Sequence, residues 1–237
     1  MADLKVYATH PHNCSYLDGQ QAVTLFVDPS AEVDKHLYSK LSDIGFRRSG
    51  SHIYRPHCDS CTACLAARLD VNRFSPSRSQ RRVINKNKDL SCEIIDDISS
   101  DEFYHLYESY INQKHSDGDM FPPSREQYES FLSSQWGITQ YLCFRDTENH
   151  LMAVAVVDQM NNGLAAVYTF YQVAAQERSL GTYAVLRQID LAKQLQLRYI
   201  YLGYWIEHCD KMSYKSKFQP LEVLKEGEWC ELIGISG

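Results

Sequence analysis

One segment with the types and spacing to do chemistry is the turn Arg178–Tyr183, which lies between a predicted strand and a predicted long helix. At a helix start the first backbone N–H groups have no partner within the helix, and the helix dipole is positive there. Such a turn can receive an anion. Gly181 would let the anion approach the backbone, or it would only permit the helix to pack closely on the strand. The sequence therefore predicts an anion site, with helix packing as the alternative.

A second group is the C-x2-C-x2-C run of Cys58, Cys61 and Cys64. Clustered thiols in a reducing compartment indicate metal or redox chemistry before structural disulfides. Three thiols at this spacing can converge on one metal, and Cys14 is the candidate fourth ligand. The alternative is a set of buried thiols without a metal.

A third group is the basic segment from Arg68 to Lys88, in which seven Lys or Arg residues stand against the single acid Asp70, although the whole chain carries −6. Neutralising phosphates releases counterions, so a local basic patch is what nucleic-acid backbone binding requires. Spacings of three and four predict that its central residues share one helix face. That face either contacts nucleic-acid phosphates or is simply solvated. Its members are Arg78, Arg81, Arg82 and Lys86.

Length and composition bound the structure that positions these groups. A chain of 237 residues with 44% hydrophobic and 23% charged residues is typical of a folded globular protein, and we expect two domains, 1–96 and 97–237. The first twelve residues contain no apolar core of a signal peptide, and no run of 18 apolar residues occurs. We therefore expect a cytoplasmic protein without a membrane partner.

Alternating apolar residues predict strands at 140–145, 151–159 and 165–171, with Asn161–Gly163 as a hairpin turn between the last two. A helix follows from about Ser179 to Leu197, and then a strand at 199–205, a loop or short helix at 207–217 and a strand at 221–224. Earlier, Asp28-Pro29-Ser30 is predicted to begin a helix, and Ser100 to cap another. The predicted fold class is mixed α/β.

Several longer motifs resemble the bacterial aspartate/glutamate leucyltransferases, a branch of the aminoacyl-tRNA-protein transferases related to the arginyl-tRNA-protein transferases. In the C-terminal half these are Val167–Tyr171, Arg178–Tyr183, Tyr201–Ile206 and Cys209–Lys215; in the N-terminal half they are Tyr54–Cys58 with the two cysteines that follow, and Phe74–Arg82. The resemblance implies a C-terminal acyltransferase domain of the GNAT kind and a smaller N-terminal domain that contains the cysteines.

The resemblance also implies a reaction. The donor would be leucyl-tRNA, the acceptor a protein or peptide that begins with Asp or Glu, and the added leucine would mark the product for degradation. It implies no DNA partner and no required cofactor. A metal or iron-sulfur group at the cysteines stays open, because relatives in eukaryotes carry a differently spaced cysteine cluster linked to such groups.

Site residues follow from the matched segments. The tRNA-binding candidates in the turn are Arg178, Ser179, Leu180, Gly181 and Thr182, alongside the basic helix. The catalytic candidates are Tyr168, Tyr171, Lys211, Tyr214 and Lys215. For the tyrosines the alternative is core packing, and for the lysines it is solvated surface charge.

Two other functions compete with this one. A coenzyme A-dependent acetyltransferase would share the fold, but GNAT enzymes usually have Gly or Ala where this chain has Tyr183, so we expect that ring to crowd the turn. A non-catalytic RNA- or metal-binding adaptor would explain the basic segment and the cysteines, but not the C-terminal motifs.

Overall fold

The computed structural model describes residues 4–118, 120–133 and 136–233. The strands are β1 (Val6–Ala8), β2 (His12–Asn13), β3 (Gln21–Ala22), β4 (Thr24–Val27), β5 (Arg47–Ser49), β6 (His52–Pro56), β7 (Leu65–Asp70), β8 (Ser91–Ile95), β9 (Thr139–Arg145), β10 (Leu151–Gln159), β11 (Gly163–Tyr171), β12 (Tyr199–Trp205), β13 (Leu221–Lys225) and β14 (Glu228–Glu231). The helices are α1 (Lys35–Asp43), α2 (Arg78–Lys86), α3 (Asp101–Lys114), α4 (Arg125–Leu132), α5 (Leu180–Gln194) and α6 (Asp210–Ser213), with 3-10 turns at Val173–Arg178 and Tyr214–Lys217.

The centre of the fold is an eight-stranded sheet in the order β14-β13-β7-β12-β11-β10-β9-β8. A second sheet has the order β1-β4-β6-β5, and β2 pairs with β3 in a short ribbon. The mixed α/β class predicted from sequence is confirmed by this arrangement. Within the described ranges no helix is long and apolar enough to cross a membrane.

The three central strands β9, β10 and β11 are antiparallel neighbours, as their alternation predicted. In β10, Ala153 and Ala155 face the core beneath α5, whereas Val154 and Val156 face the core beneath α3 and α4. Because side chains of a strand alternate between faces, one sheet separates two apolar cores. The predicted hairpin is present, since the Met160 N–H donates to the Gly163 carbonyl at 2.9 Å.

The only parallel pair in this sheet is formed by β11 and β12, and it extends just from Gly163–Ala165 to Tyr199–Tyr201. A Cβ at Gly163 would lie 2.5 Å from the Tyr199 carbonyl oxygen, so this close pairing requires glycine. Past these residues β11 continues to Tyr171 and β12 to Trp205 without further pairing between them. The two strands therefore separate toward their carboxyl ends, next to the start of α5.

The four-stranded sheet and α1 pack against the large sheet through a third core that includes Tyr38, Ile53 and Tyr201. A buried ion pair fixes the same contact: Arg48 of β5 donates to both carboxylate oxygens of Asp158 in β10, with Nη2 2.8 Å from Oδ1. Both side chains are fully buried. The two sheets are therefore held together by apolar packing and by the Arg48–Asp158 ion pair.

Two features differ from the sequence predictions. Helix α1 begins at Lys35 with Asp34 as its N-cap, because the Asp34 carboxylate accepts from the Leu37 N–H at 2.7 Å. The predicted start at Asp28-Pro29-Ser30 is wrong, since Asp28 accepts from the Ser30 N–H and so forms a local turn. Strands β7 and β8 precede residue 96 but lie in the large sheet. The predicted division into 1–96 and 97–237 thus runs through one sheet, and as a division into folding units it stays a prediction.

Candidate active site

The predicted anion-binding turn leads into the first turn of α5. Ser179 adopts the left-handed conformation with φ of 53° and is the N-cap of this fifteen-residue helix, without a side-chain capping bond. It is exposed, and Gly181 and Thr182 are partly exposed, whereas Leu180 is buried in the core. The backbone N–H groups at this helix start are therefore available for an anion.

The side chain of Tyr183 points away from this turn and into the core. Its side chain is 2% exposed, and its ring packs against Phe144 of β9 with centroids 5.4 Å apart. The prediction that the Tyr183 ring crowds the turn is wrong, because helical geometry places it on the core face, three residues after the buried Leu180.

The ring that does cover the turn belongs to Tyr171, the last residue of β11. A Cβ at Gly181 would lie 3.3 Å from Cε1 and 4.0 Å from the hydroxyl oxygen of Tyr171. Glycine therefore lets a tyrosine, rather than only a ligand, approach the helix start.

Tyr168 and Tyr171 lie on the part of β11 that has separated from β12. The Tyr168 ring packs edge-on against Phe131 and Tyr110, at centroid distances of 5.1 and 6.3 Å. Its hydroxyl oxygen is buried and has no hydrogen-bond partner among the described residues. Burial raises the pKa of Tyr168, so the group stays a neutral phenol.

Lys215 is buried at 4% exposure, although it lies in the short 3-10 turn after α6. Its ammonium group donates to the Tyr204 carbonyl and contacts the Met212 sulfur at 2.9 Å. Burial, and to a smaller degree the charge of Arg47, lower the pKa of Lys215 to about 8. It is therefore an amine that can exchange a proton near neutral pH.

The other two candidates in this segment are more accessible. Tyr214 is 41% exposed and interacts electrostatically with Tyr171, which together with burial raises its pKa. Lys211 is exposed and forms an ion pair of 3.1 Å with Asp117, in the loop that follows α3. The structure thus brings the segment Lys211–Lys215 to the same side of the sheet as Tyr171.

The sequence analysis did not single out His115. The imidazole Nε2 lies 3.4 Å from the Tyr110 hydroxyl, and the two rings meet edge to face at 5.2 Å. Tyr110 in turn packs on Tyr171 with ring centroids 4.8 Å apart. A signal was present in the sequence, because His115 follows the buried Ile111 by four residues and so continues the apolar face of α3.

The basic helix α2 lies beside this site, and hydrogen bonds fix both of its ends. At its carboxyl end the Asn87 amide donates to the Arg178 carbonyl at 2.8 Å and the Lys86 ammonium donates to the Glu177 carbonyl at 2.7 Å. At its start the Gln80 amide donates to the Lys217 carbonyl at 3.0 Å. The helix therefore connects the turn before α5 with the segment that holds Lys215.

The predicted basic face of α2 is solvent-exposed. All four of its predicted tRNA contacts are exposed: Arg78, Arg81, Arg82 and Lys86. Arg178, the predicted contact in the turn, forms a bidentate ion pair with Asp89 at 3.0 and 2.8 Å. To bind a phosphate, Arg178 would therefore have to share its guanidinium between the phosphate and Asp89, or exchange Asp89 for the phosphate.

The four predicted metal ligands, Cys14, Cys58, Cys61 and Cys64, are free and partly buried. Burial, and then the charges of the other three thiols, raise the pKa of Cys64 to about 12, so the thiols lie near one another but Cys64 stays protonated. Over the described ranges, no three Cys, His, Asp or Glu side chains are arranged to hold a metal. The donor set does not fit a metal in this conformation, and metal binding there stays a prediction.

Comparison with known proteins is consistent along the whole chain. Residues 12–82 match the family model described as "Arginine-tRNA-protein transferase, N terminus", and residues 102–225 match "Arginine-tRNA-protein transferase, C terminus". Proteins named "Aspartate/glutamate leucyltransferase" from Saccharophagus degradans and Pseudomonas syringae pv. tomato are 54% and 50% identical to it, each alignment covering 98% of both chains.

Among solved structures, "The structure of L-PGS from Bacillus licheniformis" covers 61% of this chain and 46% of its own, with a TM-score of 0.49 and 13% identity. That likeness is too distant to indicate a function. The sequence matches, in contrast, cover both halves of the fold and the turn at α5. The chain therefore belongs to the arginine-tRNA-protein transferase family and groups there with the aspartate/glutamate leucyltransferases.

Proposed function

We propose that this protein transfers leucine from leucyl-tRNA to the α-amine of proteins or peptides that begin with Asp or Glu. The proposal is supported by relatives of that name that match the chain over nearly its full length. The structural observation that carries it is the exposed basic helix α2, which is hydrogen-bonded through Asn87 to the turn at the start of α5. A basic surface joined to an anion-receiving turn suits a donor whose reactive ester is attached to a polynucleotide.

The reaction needs positioning more than strong chemistry, because an aminoacyl ester is already activated. The acceptor amine attacks the ester carbonyl, and a tetrahedral oxyanion forms before the ribose oxygen leaves. In our proposal, the free N–H groups from Leu180 to Thr182 bind the terminal phosphate of the tRNA. We assign to Tyr168, at the separated end of β11, a hydrogen bond donated to the developing oxyanion, and to Tyr171 the receipt of the amine proton.

The lysines have different roles in this proposal. Lys215 is buried and retains one full charge only below a pH of about 8, so it acts inside the site by placing a positive charge near the reacting groups. Lys211 is exposed and is already paired with a carboxylate, that of Asp117. An acidic acceptor side chain can therefore replace Asp117 as its partner, and the exposed Tyr214 would donate a further hydrogen bond.

The biological consequence and the location are parts of the same proposal. A leucine at the N-terminus in place of an acidic residue would create a degradation signal, and the process would take place in the cytoplasm, where charged tRNA is present. No step of the transfer is routed through a metal, and in this proposal the cysteine cluster has a structural role in the N-terminal region.

The donor distinguishes this function from its closest rival. A coenzyme A acetyltransferase would bind its pyrophosphate at the same α5 amides, so the two functions are separated by the donor that the enzyme consumes. We suggest incubating the protein with an Asp-initiated peptide and equal concentrations of leucyl-tRNA, arginyl-tRNA and acetyl-CoA, followed by mass spectrometry of the peptide. We expect the mass increase of one leucyl group. An arginyl or acetyl increase instead would contradict the proposal.

A further inference from the structure

Three side chains form a continuous polar path from the end of α3 to the start of α5. The His115 imidazole Nε2 lies 3.4 Å from the Tyr110 hydroxyl, and the Tyr110 ring packs on that of Tyr171 with centroids 4.8 Å apart, so that the two phenols interact electrostatically. The Tyr171 hydroxyl reaches to within 4.0 Å of the position that a Cβ at Gly181 would take. The path therefore begins at the helix start where the ester would bind and ends at a titratable base.

The surroundings of His115, at the end of this path, favour a neutral imidazole. Burial, and then the Lys211 ammonium, lower the pKa of His115, with a smaller opposing effect of Asp117 and a further lowering effect of Lys114. Its remaining polar neighbour is Tyr110, which is 8% exposed and whose pKa is raised by burial, and then by Tyr171. At neutral pH the imidazole is therefore an acceptor, and the Tyr110 phenol stays uncharged.

The tautomer follows from this arrangement. A Tyr110 hydroxyl that donates to Nε2 requires the imidazole proton to be on Nδ1. The Tyr110 oxygen can then accept from Tyr171, and the Tyr171 oxygen can accept from a group bound at the α5 turn. Each donor in the path thus has one acceptor, and all protons can move in one direction.

We propose that His115 is the terminal proton acceptor of the transfer reaction, which it reaches through Tyr110 and Tyr171; the inference rests on the proposed function. As the bond between the amine nitrogen and the ester carbon forms, the amine proton passes to the Tyr171 oxygen. The Tyr171 proton passes to Tyr110, and the Tyr110 proton passes to Nε2 of His115. The bond from carbon to the ribose oxygen breaks, and that oxygen leaves with the electron pair and takes a proton from solvent through the neighbouring ribose hydroxyl. The imidazolium then returns its proton to solvent, so the protein is unchanged.

In this scheme Tyr171 contacts the substrate and is a catalytic residue, whereas Tyr110 and His115 act through it and are positioning and relay residues. A purely structural role of Tyr110 and His115 would predict a different pH dependence. Because His115 and Tyr110 also pack ring against ring, their loss could lower activity by loosening α3. The pH dependence separates these possibilities, since packing does not depend on the protonation of an imidazole.

The test compares wild type with His115→Gln and Tyr110→Phe in leucine transfer to an Asp-initiated peptide at saturating leucyl-tRNA. In wild type, protonation of two groups should lower kcat/KM at low pH. These groups are the peptide amine, with a pKa near 8, and His115. The slope of log kcat/KM against pH should therefore approach about two below both pKa values. In each variant we expect kcat/KM at neutral pH to fall about 10²-fold and the slope to fall to about one.

The matched control is His105→Gln, because His105 lies on α3, is 68% exposed at its side chain and forms its ion pair with Glu108, outside the path. This variant should retain the wild-type kcat/KM and a slope of about two at low pH. Tyr110→Phe keeps the ring packing and removes only the hydroxyl, so it tests the path even if His115→Gln alters the loop. A slope of about two in both variants would overturn the relay while leaving the transferase function intact. Failure of wild type to transfer leucine at all would overturn the proposed function, and the relay with it.

Discussion

The side-chain amide of Asn87 donates a hydrogen bond of 2.8 Å to the carbonyl oxygen of Arg178. Asn87 directly follows α2 and is fully buried, and Arg178 directly precedes the turn into α5. The contact fixes the distance between the exposed basic face and the helix start at which the ester is proposed to react. In our proposal, binding of the tRNA body and positioning of its aminoacyl end are coupled through this contact.

The basic face of α2 gives the first prediction. Replacing both Arg81 and Arg82 by Glu should weaken binding of leucyl-tRNA and reduce the slope of log K against log salt by about two, because each phosphate contact releases about one counterion. Filter binding or fluorescence anisotropy across a salt series measures both quantities. Both side chains are exposed, so circular dichroism should show an unchanged fold.

The control for that variant carries the same charge change elsewhere. Lys40 on α1 and Lys225 on β13 are exposed, and their joint replacement by Glu should leave the salt slope unaltered. Equal loss of affinity in the two double variants would indicate that only net charge matters, and the assignment to α2 would be wrong.

Gly181→Ala is the second prediction. The new methyl group would lie 3.3 Å from Cε1 of Tyr171, so the phenol ring must shift by a few tenths of an ångström. We expect kcat/KM for leucine transfer to fall about tenfold, since small misplacements at a reacting centre are costly. Alanine is also the better helix former, and stability should be unchanged or rise by up to about 1 kcal/mol. A thermal melt with lowered stability and unaltered activity would show that Gly181 serves packing alone.

The buried ammonium of Lys215 gives a prediction about pH. Its folded-state pKa is lowered to about 8 from 10.5, so the unfolded chain binds the proton more tightly. The free energy of unfolding should therefore rise with pH between about 8 and 10.5; this gain, of about 3 kcal/mol in total, is complete above about 10.5 and is lost as pH falls from there to about 8. Urea unfolding of wild type and Lys215→Met across this range isolates the effect. Parallel pH curves for the two proteins would contradict the assignment.

The Arg48–Asp158 pair gives a prediction about the joint between the sheets. Arg48→Met leaves a buried carboxylate without its partner and should destabilise the protein by about 3–5 kcal/mol. Asp158→Asn in the same chain should recover part of that loss, because the uncompensated charge is then removed. Denaturant unfolding of the two single variants and the double variant measures the coupling, and strictly additive losses would show that the pair contributes none.

Local patterns predicted β9–β12 and α5 closely, because alternation and helical periodicity depend on near neighbours in the chain. Non-local contacts were harder to predict. Arg68 was counted in the basic patch, yet it lies in β7 and pairs with Glu222 of β13 at 2.7 Å, a contact that only the sheet order creates. Likewise, His115 continues a helix face that the sequence reveals, but its connection to Tyr171 arises from packing of α3 on β11.

For the catalytic candidates, too, the sequence indicated the residues, whereas their contacts required the structure. Motifs indicated Tyr171 and Lys215 as candidates. In the structure Tyr171 lies beside the start of α5, and Lys215 contacts the Tyr204 carbonyl near the end of β12. The role first given to the Tyr183 ring belongs to Tyr171, because the turn admits the side chain that arrives from the neighbouring strand rather than the one on its own helix.

The most direct test of the central claim is leucine transfer from leucyl-tRNA to peptides that differ only in their first residue: Asp, Asn, Glu, Gln, Lys or Ala. Asp with Asn and Glu with Gln form pairs of equal shape that differ in charge. We predict incorporation of labelled leucine into the Asp and Glu peptides, with the amide partners reduced by at least about tenfold. Equal incorporation within each pair, or none into any peptide, would contradict the account.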